Sequence, residues 1–441
     1  TPTETLSKSK TREKRKRSRL KTIAIFSGIG IGTLIGLGVV AVVGGRYYLV
    51  SDAGRELITT FVAGKKIGRY GEINVEGLSG DLFDDFTLDR VTVSDVDGVW
   101  LEATNVRVDW SYLPLVFRRF HADEITADQI RLIRRPVLEP PTEPGGPQAL
   151  GIVIDKFAAN VELLEDFSKE YGRWALSGDA NIPRAGNKTA NVDARSLSRT
   201  GDFLKLAATF GEDPQDLRLN LQAEEASGGP LAGALGYSPD QPFSAKALVD
   251  GRTVDMVMRT GSFTPLHVKG QFSDNGSRLS GYMDFSGSDL FVPFIERFGR
   301  TARLGFAAVP QRGREGVQGV AWRLFADNIQ SSAVGYVRTK DGAFAEDIKL
   351  DVATPSLTRL AGTPLGDAAR YQGVFNGDGK TFELKGAINA SNVQLSDYRM
   401  ARLTGPLNLS ANKGEYGLSG QLTAANASRQ GVLGGLLGAA P

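Results

Sequence analysis

Cysteine is absent from this chain, and histidine occurs only twice in 441 residues. The first absence excludes disulfides, thiolate zinc sites and a cysteine nucleophile, and it spares an exported chain from mispairing. The second leaves His121 and His267, which are 146 positions apart, and neither has a second histidine or a carboxylate at ligand spacing on a shared helix. Both read as surface strand residues. No G-x-S-x-G elbow supports a serine nucleophile. No G-x-x-x-x-G-K-[ST] loop is present, and Gly28, Gly30 and Gly32 lie inside an apolar run rather than after a strand. The adjacent acids Asp84-Asp85, Glu165-Asp166 and Glu224-Glu225 read as solvated turn charges, because neighbours on a strand face opposite ways. The expectation is a protein that is not an enzyme, with no catalytic residues, no cofactor and no metal.

Long apolar runs are also scarce, with one exception. Thr22 to Gly45 contains 24 uncharged residues, which as a helix would span roughly 36 Å, more than the hydrocarbon core requires. Ahead of it, nine Lys or Arg (Lys8, Lys10, Arg12, Lys14, Arg15, Lys16, Arg17, Arg19 and Lys21) face two acids, Glu4 and Glu13, a net +7. The positive-inside rule keeps such an end in the cytoplasm. A cleaved signal peptide would have a shorter apolar region ending in an A-x-A-like site, and Val42-Val43-Gly44-Gly45-Arg46 offers none. Gly28, Gly32 and Gly36 recur at four-residue spacing, a face that suits helix packing. The whole chain carries +2, so residues 22–441 carry −5, and the bulk is not expected to bind nucleic acid. The basic tail fits attraction to anionic headgroups instead.

Helical periodicity almost disappears after Gly71, and period-two alternation replaces it. Val99, Leu101 and Ala103 alternate, then Val106, Val108 and Trp110, with the apolar phase flipping at Thr104-Asn105 as a bulge would produce. Trp174 to Ile182 alternates in the same way. So do Leu217, Leu219, Leu221 and Ala223, and then Phe243, Ala245, Ala247 and Val249. Turn formers such as Asp95 to Gly98, Asp250-Gly251 and Asn376 to Gly379 separate the runs. Glycine, at 53 residues, exceeds the usual share of about 7% and agrees with many turns. The pattern predicts a long antiparallel meander. Gly229 to Gly236 resembles Gly431 to Gly438 as a short apolar, Gly-bounded punctuation, which suggests an internal repeat and an elongated shape.

The expected organisation is a basic cytoplasmic tail (1–21), a transmembrane helix (22–45), a membrane-proximal helix (46–66), an N-terminal β-hairpin region (67–135), a Pro-rich loop (136–150) and a repetitive β-groove (151–441) expected to be truncated. Alternation shows that one face is buried, and a closed core or a ligand would satisfy it equally. Candidate lining residues on that face are Val99, Leu101, Ala103, Leu217, Leu219, Leu221, Ala245, Ala247 and Val249.

The order of segments carries a resemblance. Ile73 to Leu88 (INVEGLSGDLFDDFTL), then Val91 to Leu101 (VTVSDVDGVWL), Val106 to Pro114 and Ile125 to Leu132 look like the N-terminal region of the TamB family, the inner-membrane subunit of the translocation and assembly module, related to AsmA-like bridge proteins. The resemblance covers residues 22 to about 135 well and the rest loosely. It implies an all-β fold, an elongated antiparallel curled sheet (a β-taco, or repeating β-groove) behind one transmembrane helix, anchored in the inner membrane with its bulk in the periplasm. It further implies outer-membrane biogenesis, phospholipid held and moved in the groove, and a TamA-like outer-membrane barrel partner met through a C-terminal region missing here. A lipid-free scaffold that docks outer-membrane protein precursors by strand addition is the other expectation.

Overall fold

A computed structural model describes residues 65–66, 69–81, 84–139, 150–211, 216–338, 346–377, 381–395, 397–412 and 415–429. The basic tail, the run expected to cross a membrane with Gly28, Gly32 and Gly36, nearly all of the expected membrane-proximal helix, most of the Pro-rich segment and Gly431 to Gly438 lie outside the described residues. Among the described residues no helix is long and apolar enough to cross a membrane.

The first strands are β1 (Lys65–Lys66), β2 (Glu72–Gly80), β3 (Asp85–Asp95), β4 (Gly98–Ser111), β5 (Arg119–Leu132) and β6 (Gly151–Leu163). Next come β7 (Gly172–Ile182), β8 (Lys188–Ser196), β9 (Phe203–Phe210), β10 (Arg218–Glu225), β11 (Phe243–Val249), β12 (Thr253–Thr260), β13 (Phe263–Ser273) and β14 (Gly276–Asp284). The last are β15 (Thr301–Pro310), β16 (Val317–Ala326), β17 (Ile329–Arg338), β18 (Ile348–Thr354), β19 (Ala369–Gly377), β20 (Phe382–Leu395), β21 (Tyr398–Asn412), β22 (Glu415–Gly420) and β23 (Thr423–Arg429). All belong to one curled sheet in which each strand pairs with its sequence neighbour, and β22 and β23 share the far side of β21.

Apart from β23, which pairs with β21 and not with β22, the expected meander holds with one exception. β5 and β6 run parallel, Ile125 beside Phe157 and Leu132 beside Leu163. A parallel pair needs a crossover from the end of one strand back to the start of the next. The segment carrying the prolines, 133–150, joins the two strands in sequence, and most of it lies outside the described residues. Its first residues are strapped to strand ends: the Asp95 carboxylate accepts from the Arg134 guanidinium (2.5 and 3.0 Å), from Val137 N (2.6 Å) and from Asp97 N (2.8 Å).

Local sequence explains the turns and the kinks. Asp250 Oδ1 accepts from Arg252 N and Thr253 N at 2.9 and 2.6 Å, closing the β11–β12 hairpin. Asn105 adopts φ 49° and drops out of the ladder, since Leu88 pairs with Val106 and Arg90 with Thr104. The skip runs across neighbouring strands through Gly77 (φ 69°), Asp89 and Asp128, and Asn105 Nδ2 donates to Asp128 Oδ2 at 2.8 Å. Asparagine tolerates the left-handed region, so the predicted phase flip has a backbone cause.

Four short helices mark a repeat: α1 (Glu165–Ser168), α2 (Pro230–Ala234), α3 (Val292–Phe298) and α4 (Leu357–Ala361). They begin at residues 165, 230, 292 and 357, each after every fourth strand, and so lie along the same edge of the sheet. Hydrogen bonds link successive members into a rail. Lys169 Nζ donates to Gly236 O (2.6 Å) and pairs with Asp289 (2.9 Å), Ser288 Oγ donates to Leu235 O (2.8 Å), and Asn328 Nδ2 donates to Arg297 O (2.7 Å). Of the two copies from which the sequence suggests a repeat, Gly229 to Gly236 contains α2, while Gly431 to Gly438 lies outside the described residues.

Candidate functional site

In an antiparallel ladder, directly opposed residues share a face. Following the register from β3 to β21 gives one row: Phe86, Val108, Ile125, Phe157, Gly178, Val192, Leu206, Leu221, Ala247, Met256, Val268, Gly281, Leu304, Leu324, Ser331, Val352, Tyr371, Ile388 and Gly405. Only Ser331 and Tyr371 carry a polar atom on their side chains. The next row on the opposite face includes Ser177, Asp193, Lys205, Gln222 and Lys246. One apolar face thus runs the length of the sheet.

The face is covered to different degrees along its length. From β2 to β8 it forms a single cluster of 26 buried residues, including Leu101, Val108, Trp110, Phe157 and Trp174. From β10 onward the buried clusters have only four members each. Leu221, Met256, Val268, Leu304, Leu324, Val352 and Ile388 are half-exposed. A hollow of about 620 Å³ spans β13 to β16, lined in part by Gly270, Leu279, Phe306 and Trp322 of one register row. That size lies within the roughly 300–1,000 Å³ of small-molecule sites.

Pairing of β10 with β11 brings five of the sequence candidates together: Leu219 opposes Val249, Leu221 opposes Ala247, and Ala245 lies opposite Ala223. Leu217 is half-buried just ahead of β10. Leu101 and Ala103 lie in the buried cluster near the start of the sheet, 1% and 0% exposed. Val99 is corrected by the structure. The register slips between Val93 and Ser94, so Trp100 turns inward at 2% exposure while Val99 remains 39% exposed. The Trp100 indole N–H donates to Tyr70 O at 2.9 Å, which fixes the inward ring.

No family model, curated protein or solved structure matches this chain. The site is defined by its geometry alone.

Two buried polar side chains at the rim, Glu225 and Tyr237, belong to the helical rail. Glu225 ends β10 on the apolar face and is buried, while its neighbour Glu224 is exposed. The Glu225 carboxylate accepts from Leu231 N (2.8 Å) and Ala232 N (3.0 Å) at the start of α2. Burial pushes its pKa up, against the pull of those two amides. Tyr237 is buried beside it, and burial, reinforced by the Asp284 charge, pushes its phenol up to about 12. Both groups are structural parts of the helical rail.

Histidine chemistry was only half legible. His267 is exposed on β13. His121, by contrast, has carboxylates near it: its Nε2 is 2.8 Å from Asp155 Oδ2 on β6 and 3.8 Å from Asp123 Oδ1 on β5. The three offer ligand atoms within 4.8 Å of one another, though both aspartates are exposed. Asp155 was invisible to spacing arguments because the parallel β5–β6 pairing brings it there across 34 residues.

Proposed function

We propose that this chain is an inner-membrane-anchored, periplasmic β-groove protein of the TamB-like kind, which shields phospholipid acyl chains along its apolar face and conducts them between membranes. The observation that carries this reading is the row from β10 to β21, apolar except at Ser331 and Tyr371 and half-exposed at most of its positions among the described residues. Apolar surface of that extent is stabilised by removal from water, at about 25 cal/mol per Å², and acyl chains have the right shape and chemistry to cover it. The polar opposite face suits an aqueous compartment. In this reading the chain aids outer-membrane protein assembly with a TamA-like partner, has no catalytic role, needs no cofactor and does not bind nucleic acid.

The test places a photo-crosslinking amino acid in the full chain at Leu221, Leu304 or Ile388, and at Lys205 or Arg303 on the opposite face. The expected result is phospholipid adducts, identified by mass spectrometry, at the first three positions only. Adducts at neither set, or equally at both, would sink the groove assignment.

A second reading has its own observation. β22 and β23 form the last described edge, and Tyr416 and Leu418 there are 76% and 71% exposed. An exposed edge adds strands readily. Crosslinks from position 416 to an outer-membrane protein precursor, with no lipid adducts on the apolar face, would favour a lipid-free scaffold.

A further inference from the structure

The connection between β4 and β5 turns its apolar residues outward. Leu113, Val116 and Phe117 are 64%, 79% and 82% exposed, and Tyr112 at the base is 48% exposed. A floppy loop could hide such residues, but this one is built rigidly. Trp110 and Phe120, both buried, stack at 5.5 Å beneath it. Leu115 alone points back and packs on the buried cluster. A 3-10 turn over Leu113–Phe117 holds the rest, with Leu115 N donating to Tyr112 O (3.0 Å) and Arg118 N to Leu115 O (2.8 Å). Arg118 sits at φ 57° in the left-handed region, and its carbonyl accepts from Gly151 N (2.9 Å), tying the turn to β6. Arg118 and Arg119 are exposed, and neither guanidinium has an ion-pair partner among the described residues.

We infer that this turn is a second membrane contact: Leu113, Val116 and Phe117 enter the headgroup region of a bilayer, with Arg118 and Arg119 on anionic headgroups. An apolar apex with an aromatic at its base and free arginines beside it is the composition of segments that lie in a membrane interface. Charge complementarity favours a lipid surface over an apolar protein groove, which would leave two guanidinium groups unpaired. The bilayer is close in the anchored reading of residues 22–45, on which this inference rests. The turn lies at the strand ends opposite those where the chain enters through β1 and β2. Contact there would fix the tilt of the sheet against the membrane, which a single anchor leaves free to swing.

The absence of cysteine makes the test direct. Full-length chain carrying Val116→Cys is labelled with an environment-sensitive dye and reconstituted into phosphatidylcholine vesicles, with and without phosphatidylglycerol, that contain brominated phosphatidylcholine. Val334→Cys serves as the control, an exposed apolar position on the opposite face of the sheet, roughly 60 Å away measured along it. The expected result is loss of about half the emission at position 116, stronger with anionic lipid, and none at position 334. Val116→Asp with Phe117→Asp, read by a dye at Leu113→Cys, should bring the quenching down to the control. Flotation reports anchoring separately. A chain that floats with an unquenched dye at 116 would overturn the inference and leave the anchor standing. A chain that does not float would overturn both. A dye shifted to the blue yet unquenched by lipid would show a protein contact and overturn it as well.

Discussion

The strands before and after β9 carry the same alternation in the same register, yet the first group buries its apolar face and the second leaves it half open. Side-chain size separates them. The early face is built of Ile, Val, Phe and Trp, as in Ile73, Val108, Phe157 and Trp174, all under 10% exposed. The late face places glycine or alanine among its larger residues, including Gly270, Gly281, Ala333, Gly373, Gly386 and Gly405. Small residues on an apolar face leave room beside their neighbours. Tyr371 shows the effect directly, since its ring lies where a Cβ on Gly373 or Gly386 would be. Period-two patterning thus decides which face turns in, while residue volume decides whether protein alone can fill it.

Matched leucine truncations should expose the contrast most strongly. Leu101→Ala removes a side chain 1% exposed, and loss of about 3–5 kcal/mol of local stability is expected from transfer and cavity terms together. Leu304→Ala, on the half-open face, should lose about 1 kcal/mol, since little contact is forfeited. Hydrogen exchange at the amides of each strand is the right readout, because a sheet built from nearest-neighbour contacts does not open as one unit. Equal losses in lipid-free protein would mean that the late face is filled by protein after all, and the comparison would fail.

The strap at Asp95 should give the next largest effect, and it belongs only to the early region. Hydrogen bonding from Arg134 holds the Asp95 carboxyl at about 2, against roughly 3.9 in an unfolded chain. A depressed carboxyl contributes stability that is complete above the unfolded value and is lost as pH falls toward the folded one. Asp95→Ala should therefore lower the stability of the β3–β5 region by about 2 kcal/mol at neutral pH, and the gap to the natural chain should close between roughly pH 4 and pH 2. A gap that persists at pH 2 would assign the effect to lost packing. The β19–β21 amides should be unaffected throughout.

What the sequence disclosed divides along physical lines. Alternation and turn formers revealed the strands, the inward face of β10 and β11, and the kink at Asn105, because each is a local property of a few residues. The position of Val99 was misread since a one-residue slip near a turn reverses the phase without altering composition. The parallel β5–β6 pair, the approach of Asp155 to His121 and the four-strand period of the helical rail depend on partners dozens of residues away. No local pattern encodes them. The outward turn at Leu113–Phe117 escaped notice for a related reason, as an apolar run between strands reads as buried until the structure shows that only Leu115 faces inward.

Two glycines on the same register row offer the finest test of the size argument. A Cβ built on Gly178 would lie 2.0 Å from Asn191 O and 2.5 Å from the Phe157 ring, so backbone would have to move. A Cβ on Gly281 would meet Val268 at 3.4 Å and Leu304 at 3.7 Å, ordinary contact distances. Gly178→Ala should accordingly cost about 1–2 kcal/mol through overpacking. Gly281→Ala should stay within about 0.5 kcal/mol of neutral, the clash-free fit and the reduced freedom of the unfolded chain offsetting any loss. Should Gly281→Ala prove as harmful as Gly178→Ala, the late face would be as tightly filled as the early one, and the open groove on which the lipid reading depends would have no room in it.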